Sequence, residues 1–186
     1  MLLYLRAIHT IPEKGVFIMR DCTYIAADFD HDKAAVDRIM ELNALGYINI
    51  KSAHDLQQSR DSSLACSIKQ SLKSRMDNSK QFILIVGDQT NTVSKGGCQL
   101  CQSYNSYTSH CARNGNIDYR SFIKFECDKA VEASIKIVVL YYSLDVDRDL
   151  CPEAVRWKGI HKRMIFRGND GQLYWDNQGI ADAINA

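Results

Sequence analysis

Residues 121–142 read SFIKFECDKAVEASIKIVVLYY and contain a helix pattern followed by a strand pattern. The first half places apolar residues three and four positions apart, which is typical of one buried helix face. Those apolar residues are Phe122, Ile123, Cys127, Ala130 and Val131. Residues 135–140 form an almost unbroken apolar run, which is typical of a parallel strand covered on both sides. Glu126 lies among the apolar helix positions, where a carboxylate is either well paired or used in chemistry.

Strand and helix patterns continue to alternate on both sides of this stretch. The sequence predicts strands at 23–27, 47–50, 82–86, 135–140 and 164–166. It predicts helices at 33–45, at 61–76, from 121 onward and at 177–184. Because strands separated by helices form right-handed crossovers, this order predicts an α/β fold whose parallel sheet is covered by helices on both faces.

Length and composition predict one ordinary globular domain over residues 1–186. Residues 1–22 are expected to be an N-terminal extension without the layout of a signal peptide. The formal net charge of +1 argues against nucleic acid as a partner, and no apolar run is long enough to span a membrane. Seven scattered cysteines, an odd number, favour free thiols in a reducing compartment, so we expect a cytoplasmic protein.

The carboxyl ends of the predicted strands are where an α/β fold places its ligand cleft. The first strand ends in residues 28–32, DFDHD, and the third is followed by Asp88. The glycine-rich Rossmann and P-loop patterns are absent, so a nucleotide would be held by other groups, including Asp88. The 28–32 carboxylates also suit Mg²⁺, and Asp32 also suits a helix N-cap. Ser62, at the start of the second helix, is a candidate either for phosphate binding or for capping.

Residues 89–120 form a polar insertion that carries four candidate metal ligands. Cys98 and Cys101 have the C-x₂-C spacing of half a zinc site. His110 or Cys111, with Cys127, would supply the other half. A long loop without its own core gains from such a staple, and the alternative is a set of free thiols.

Five pieces of the sequence, in order, resemble the TIR-like family that includes ThsB of the bacterial Thoeris anti-phage defence system. The pieces are YIAADFDHD, AHDLQQSRDSS, IKQSLKSRMDNSKQFILIVGDQT, SFIKFECDKAV and the Cys-Pro of RDLCPEAVRW. The resemblance runs from about residue 23 to residue 166. It implies a flavodoxin-like TIR fold with a five-stranded parallel sheet in the order 2-1-3-4-5.

The resemblance also implies an activity. TIR enzymes of this kind cleave the nicotinamide–ribose bond of NAD and can cyclise the ADP-ribose into a second messenger. Their catalytic glutamate lies in an aromatic-x-x-x-Glu pattern, which here is FIKFE, residues 122–126. Phe29 and Asp30 would border the nucleotide pocket, with Phe29 stacking on a ring and Asp30 bonding a ribose. The expected partners are NAD, other TIR surfaces through self-association, and an effector that responds to the nucleotide signal.

Two alternatives remain open on the sequence. The first is a TIR module without enzymatic activity that works by self-association. The second concerns Glu126, which in a purely structural role would cap its helix or pair with Lys124 or Lys129.

Overall fold

The computed structural model describes residues 20–51, 64–111 and 117–186. Its strands are β1 (Cys22–Ala26), β2 (Ser79–Val86), β3 (Tyr104–Asn105), β4 (His110–Cys111), β5 (Lys136–Tyr141), β6 (Ile160–Arg163), β7 (Ile165–Arg167) and β8 (Leu173–Trp175). Its helices are α1 (Lys33–Ala44), α2 (Ala65–Asp77), α3 (Phe122–Glu132) and α4 (Asn177–Asn185).

The main sheet has four parallel strands in the spatial order β1-β2-β5-β6. The predicted parallel pairing of 23–27 with 82–86 is confirmed, with Tyr24 opposite Phe82. The α/β class is confirmed as well, and the architecture is broadly flavodoxin-like. Almost every residue of β2 and β5 is buried, as expected for central strands that are covered on both faces.

Two hydrophobic layers cover the sheet because successive strand residues point to opposite faces. One layer lies under α2 and α3 and includes Tyr24, Leu72 and Phe82. The other lies under α1 and α4 and includes Ile25 and Ile83. The predicted cover of helices on both faces is therefore confirmed.

The five-stranded sheet predicted from the sequence is corrected in two places. Residues 47–50 form no strand, although the Thr23 N–H donates to the Lys51 carbonyl at 3.3 Å and so keeps this segment beside β1. The last parallel strand is β6, whereas 164–166 were expected to form it. Most of that predicted segment belongs instead to β7, which pairs antiparallel with β8 in a separate hairpin.

The insertion between β2 and α3 has its own small structure. Its described residues, 89–111 and 117–120, include the 3₁₀ turn Cys98–Leu100 and the antiparallel pair β3–β4. The predicted extension at the N-terminus falls mostly on residues 1–19, which lie outside the described residues, and Cys22 already belongs to β1. In the described part of the chain, no helix has the length and apolar character needed to cross a membrane.

Candidate active site

Glu126 lies in the second turn of α3 and points into the layer between α3 and the sheet. It shares this face with Ile123, Cys127 and Ala130, because residues three and four apart project from the same side of a helix. Its side chain is almost fully buried, with the residue 4% exposed. The Tyr24 hydroxyl, on β1, donates a hydrogen bond of 2.5 Å to the Glu126 Oε1.

The two structural roles considered for Glu126 are not the ones it has here. The helix is capped by Ser121, whose hydroxyl accepts the Lys124 N–H at 3.2 Å. Lys129 pairs with Glu132, and Lys124 is exposed. The partner of Glu126 is instead Tyr24, which lies 102 positions earlier in the chain.

Burial gives Glu126 an unusual pKa. Loss of solvent raises the pKa of this carboxyl from 4.5 to about 7, while the Tyr24 hydrogen bond and the charge of Arg75 act in the opposite direction. Burial, and then the charge of Glu126, raise the pKa of Tyr24 well above its usual value, so the phenol keeps its proton. A carboxyl that titrates near neutral pH, and that has no salt-bridge partner among the residues the structure describes, is a candidate functional group.

A polar groove of about 640 Å³ lies on the other side of α3. Its lining residues are Asn91, Arg120, Lys124, Asp128, Pro152, Glu153, Ala154 and Arg156. Lys124 and Asp128 are one turn apart and face this groove, whereas Glu126 faces the sheet. The groove and the buried carboxylate are therefore separate features in this conformation.

The acidic tip after β1 forms its own network at the carboxyl edge of the sheet. The Asp28 carboxylate pairs with the His31 Nδ1 at 2.7 Å and accepts the Asp30 N–H at 3.2 Å. Asp30 is exposed, and Phe29 packs against the layer under α1 and α4. Phe29 and Glu126 thus lie on opposite faces of the sheet, and the structure does not bring them together.

Asp32 is the N-cap residue of α1 by position, but its side chain makes no capping hydrogen bond. The carboxylate turns toward the end of β2 and packs against Gly87, where an added Cβ would lie 2.0 Å from the Asp32 Oδ1. Asp32 is 3% exposed, and its Oδ2 has no hydrogen-bond partner in the described structure. Burial, and then the charge of Asp28, raise its pKa to about 6. Asp88, next to Gly87, is exposed.

The candidate metal ligands are only partly brought together. Cys98, Cys101 and Cys111 line one small cavity, while His110 is exposed and does not line it. Cys127 is fully buried in the layer under α2 and α3. Within the described ranges, no three His, Cys, Asp or Glu side chains stand in an arrangement ready to hold a metal ion.

One predicted nucleotide contact, Ser62, lies outside the described residues.

Residues 23–95 match the family described as Thoeris protein ThsB, TIR-like domain. Over these residues the chain is similar to the TIR-like domain of ThsB. The match runs from β1 to the loop after β2, and Glu126 lies beyond it. No curated protein matches the sequence.

The contacts of three residues could not be foreseen from the sequence. Tyr24 was read as a strand residue, and nothing local marks it as the partner of a carboxylate 102 positions away. Asp32 was considered as a cap, but its contact with Gly87 depends on the pairing of β1 with β2. Cys66 was not among the candidate metal ligands, yet it is exposed in the first turn of α2 and lines the same cavity as Cys98.

Proposed function

We propose that this protein is a TIR-like signalling enzyme of anti-phage defence that cleaves NAD at the nicotinamide–ribose bond. The observation that carries the proposal is Glu126, a buried carboxyl on α3 whose pKa is raised to about 7 and whose hydrogen-bond partner is a tyrosine rather than a cation. The TIR-like match over residues 23–95 supports the class of reaction.

The chemistry requires one fixed carboxylate. As the bond from the ribose C1′ to the nicotinamide nitrogen breaks, the bonding electrons leave with nicotinamide, which becomes neutral and needs no general acid. Positive charge then develops on the ribose, and a nearby carboxylate stabilises it electrostatically. Water attacks C1′ to give ADP-ribose, or a nucleophile of the ADP-ribose itself attacks to give a cyclic product. The ionised form of Glu126 supplies the negative charge.

Tyr24 would act as a positioning residue for this carboxylate. Its hydroxyl donates to the Glu126 Oε1, so Oε2 would be the oxygen available to the ribose. Since the hydrogen bond favours the charged form, Tyr24 also increases the fraction of Glu126 that is ionised at neutral pH. Removal of the phenol oxygen would therefore lower activity at neutral pH more than at alkaline pH.

Catalysis also requires Glu126 to become accessible, because it is 4% exposed in this conformation. We propose that α3 moves relative to β1 when the protein is activated, and that the pocket then includes the carboxyl edge of β1 and β2. Phe29 and Asp30 would contact a ring and a ribose of NAD there, and Asp88 and Ser62 would contact the rest of the dinucleotide. Assembly through TIR surfaces is the proposed trigger, and the nucleotide product is the proposed signal to an effector.

Chromatography of NAD and its products, after incubation with purified protein, tests the proposal. The wild type should convert NAD to nicotinamide and ADP-ribose or its cyclic form. Glu126→Gln should lose ~10²-fold or more of this rate, since the charge that stabilises the transition state is gone. Glu132→Gln is a matched control on the exposed side of the same helix and should keep the rate. Equal rates in the wild type and Glu126→Gln would reject the catalytic role.

A second candidate function is a TIR module that acts only by self-association. The observation that favours it is the same burial of Glu126, since a buried, hydrogen-bonded carboxyl also suits a purely structural residue. Such a module would form oligomers and leave NAD unchanged, and Glu126→Gln would alter its stability alone. Light scattering and the NAD assay on the same sample separate the two functions.

A further inference from the structure

We propose that Cys66, Cys98, Cys101 and Cys111 together form a tetrahedral zinc site that joins the insertion to α2. The four residues come from three separate segments of the chain and line one cavity of about 10 Å³, with Ala65, Tyr104 and Ile117 completing the wall. This volume is about that of one water-sized sphere. The proposal replaces His110, the ligand suggested by the sequence, with Cys66, and it does not depend on the proposed NAD chemistry.

Backbone hydrogen bonds hold Cys98 at the cavity. The Asp118 N–H donates to the Cys98 Sγ at 3.2 Å, and the Cys101 N–H donates to the Cys98 carbonyl at 2.9 Å. The position of this sulfur is therefore fixed by a segment 20 residues further along the chain. The Cys98 N–H in turn donates to the Asp118 carbonyl at 3.0 Å, so this turn is held from both sides.

The other two cysteines reach the cavity through regular structure. Cys111 lies on β4 opposite Tyr104 of β3, so the hairpin returns the chain to the C-x₂-C turn. Cys66 lies in the first turn of α2. Lys69, one turn further along, donates to the carbonyls of Asp118 at 3.2 Å and Arg120 at 2.6 Å, which fixes α2 against the insertion.

A buried cation lies beside this cavity. Lys69 is 5% exposed, and its ammonium group lies 3.3 Å from the carboxylate of Asp118, the residue whose backbone N–H donates to the Cys98 Sγ. Four thiolates around Zn²⁺ carry a net charge of −2, which a nearby ammonium group offsets. On binding, each of the four thiols releases one proton to solvent and forms one Zn–S bond of ~2.3 Å.

The thiols have to rotate to reach this geometry, because no three of them stand in a ligand arrangement within the described residues. Rotation about the Cα–Cβ bond moves sulfur without moving the backbone, and all four side chains already border the same space. All seven cysteines are free, so no disulfide has to break. The regular structure of the insertion's described residues consists of two two-residue strands and one 3₁₀ turn, and a bound metal would stabilise so small a unit.

Metal analysis of the full-length protein, reduced and purified without added metal, tests the site. We expect about one zinc per chain in the wild type and in two controls, Cys22→Ser on β1 and His110→Ala on β4. Cys66→Ser should bind Zn²⁺ ~10²-fold more weakly in competition with a chelator, since even residues that only support ligands contribute ~10–100-fold. Circular dichroism confirms that each variant is folded.

Cobalt substitution gives a readout that needs no variant. Co²⁺ bound to the wild type should show intense thiolate-to-metal charge-transfer absorption and the d–d bands of a tetrahedral site, with an intensity that corresponds to four thiolates. Failure of the reduced wild type to bind either Zn²⁺ or Co²⁺ would overturn the proposal. Zinc retained by Cys66→Ser but lost by His110→Ala would overturn the assignment of Cys66.

Discussion

At the scale of single residues, Glu126 links the sequence pattern to the proposed chemistry. The sequence shows that a carboxylate lies among apolar helix positions, and the structure adds the Tyr24 hydroxyl and a pKa of about 7. The partner could not be predicted, because the two residues lie 102 positions apart, with the whole crossover from β1 to β2 and part of the crossover from β2 to β5 between them. Burial of Glu126 has a direct consequence for stability, which can be measured whether or not the group is catalytic.

We predict that the effect of Glu126→Gln on the free energy of unfolding depends on pH. The folded state holds a proton up to about pH 7, whereas the unfolded state releases it near pH 4.5, so the free energy of unfolding of the wild type falls as pH rises through this window. The glutamine side chain does not titrate, so the free energy of unfolding of the variant does not fall in this way. Relative to the wild type, it should gain roughly 2–3 kcal/mol between pH 5 and pH 8.5 in urea unfolding. The matched control Glu132→Gln should show no such gain, and a constant difference for Glu126→Gln would contradict the buried placement.

We predict that Gly87→Ala is destabilising because of Asp32. The added Cβ would lie 2.0 Å from the Asp32 Oδ1, so the carboxylate or the end of β2 must shift, at a cost of about 1–3 kcal/mol. In an Asp32→Ala background the space is open, and the same substitution should cost much less. A double-mutant cycle by chemical denaturation measures this coupling. Additive effects of the two substitutions would show that the residues do not touch.

At the scale of elements, the central strands could be predicted and the edges of the sheet could not. β2 and β5 are apolar along almost their whole length because helices cover both faces, and that pattern is visible in the sequence. β6 reads Ile-His-Lys-Arg and is only half-buried, so it has no such signal. Residues 47–50 alternate exposed and buried side chains as a strand would. In the described structure, however, the hydrogen bond from the Thr23 N–H to the Lys51 carbonyl stands in place of the regular series of hydrogen bonds between paired strands.

The N-terminus of α3 gives a prediction at this scale. The Ser121 hydroxyl accepts the Lys124 N–H, and Ser121 is 4% exposed, so water cannot easily replace the bond. Ser121→Ala should lower the free energy of unfolding by about 1 kcal/mol. Ser71→Ala, on the exposed side of α2, is the control and should be neutral or slightly stabilising. An unchanged stability for Ser121→Ala would show that the cap contributes nothing to the position of Glu126.

At the scale of the whole molecule, the parts of the proposed site lie on both faces of one sheet. Glu126 and Tyr24 lie under α2 and α3, and Phe29 lies under α1 and α4. The family resemblance implied one pocket for Phe29 and Glu126, and the sequence does not indicate on which face of the sheet each side chain lies. An enzyme built this way must open one layer to join them, which is consistent with activity that depends on assembly.

The pH dependence of kcat/KM for NAD tests the central claim most directly, since it reports the ionisation of the free enzyme. If buried Glu126 must be ionised, kcat/KM should rise about ten-fold per pH unit up to about pH 7 and then level off. Tyr24→Phe should move this midpoint to higher pH, because the lost hydrogen bond favours the charged carboxylate. A wild-type kcat/KM that stays constant from pH 5.5 to pH 8.5 would contradict the account.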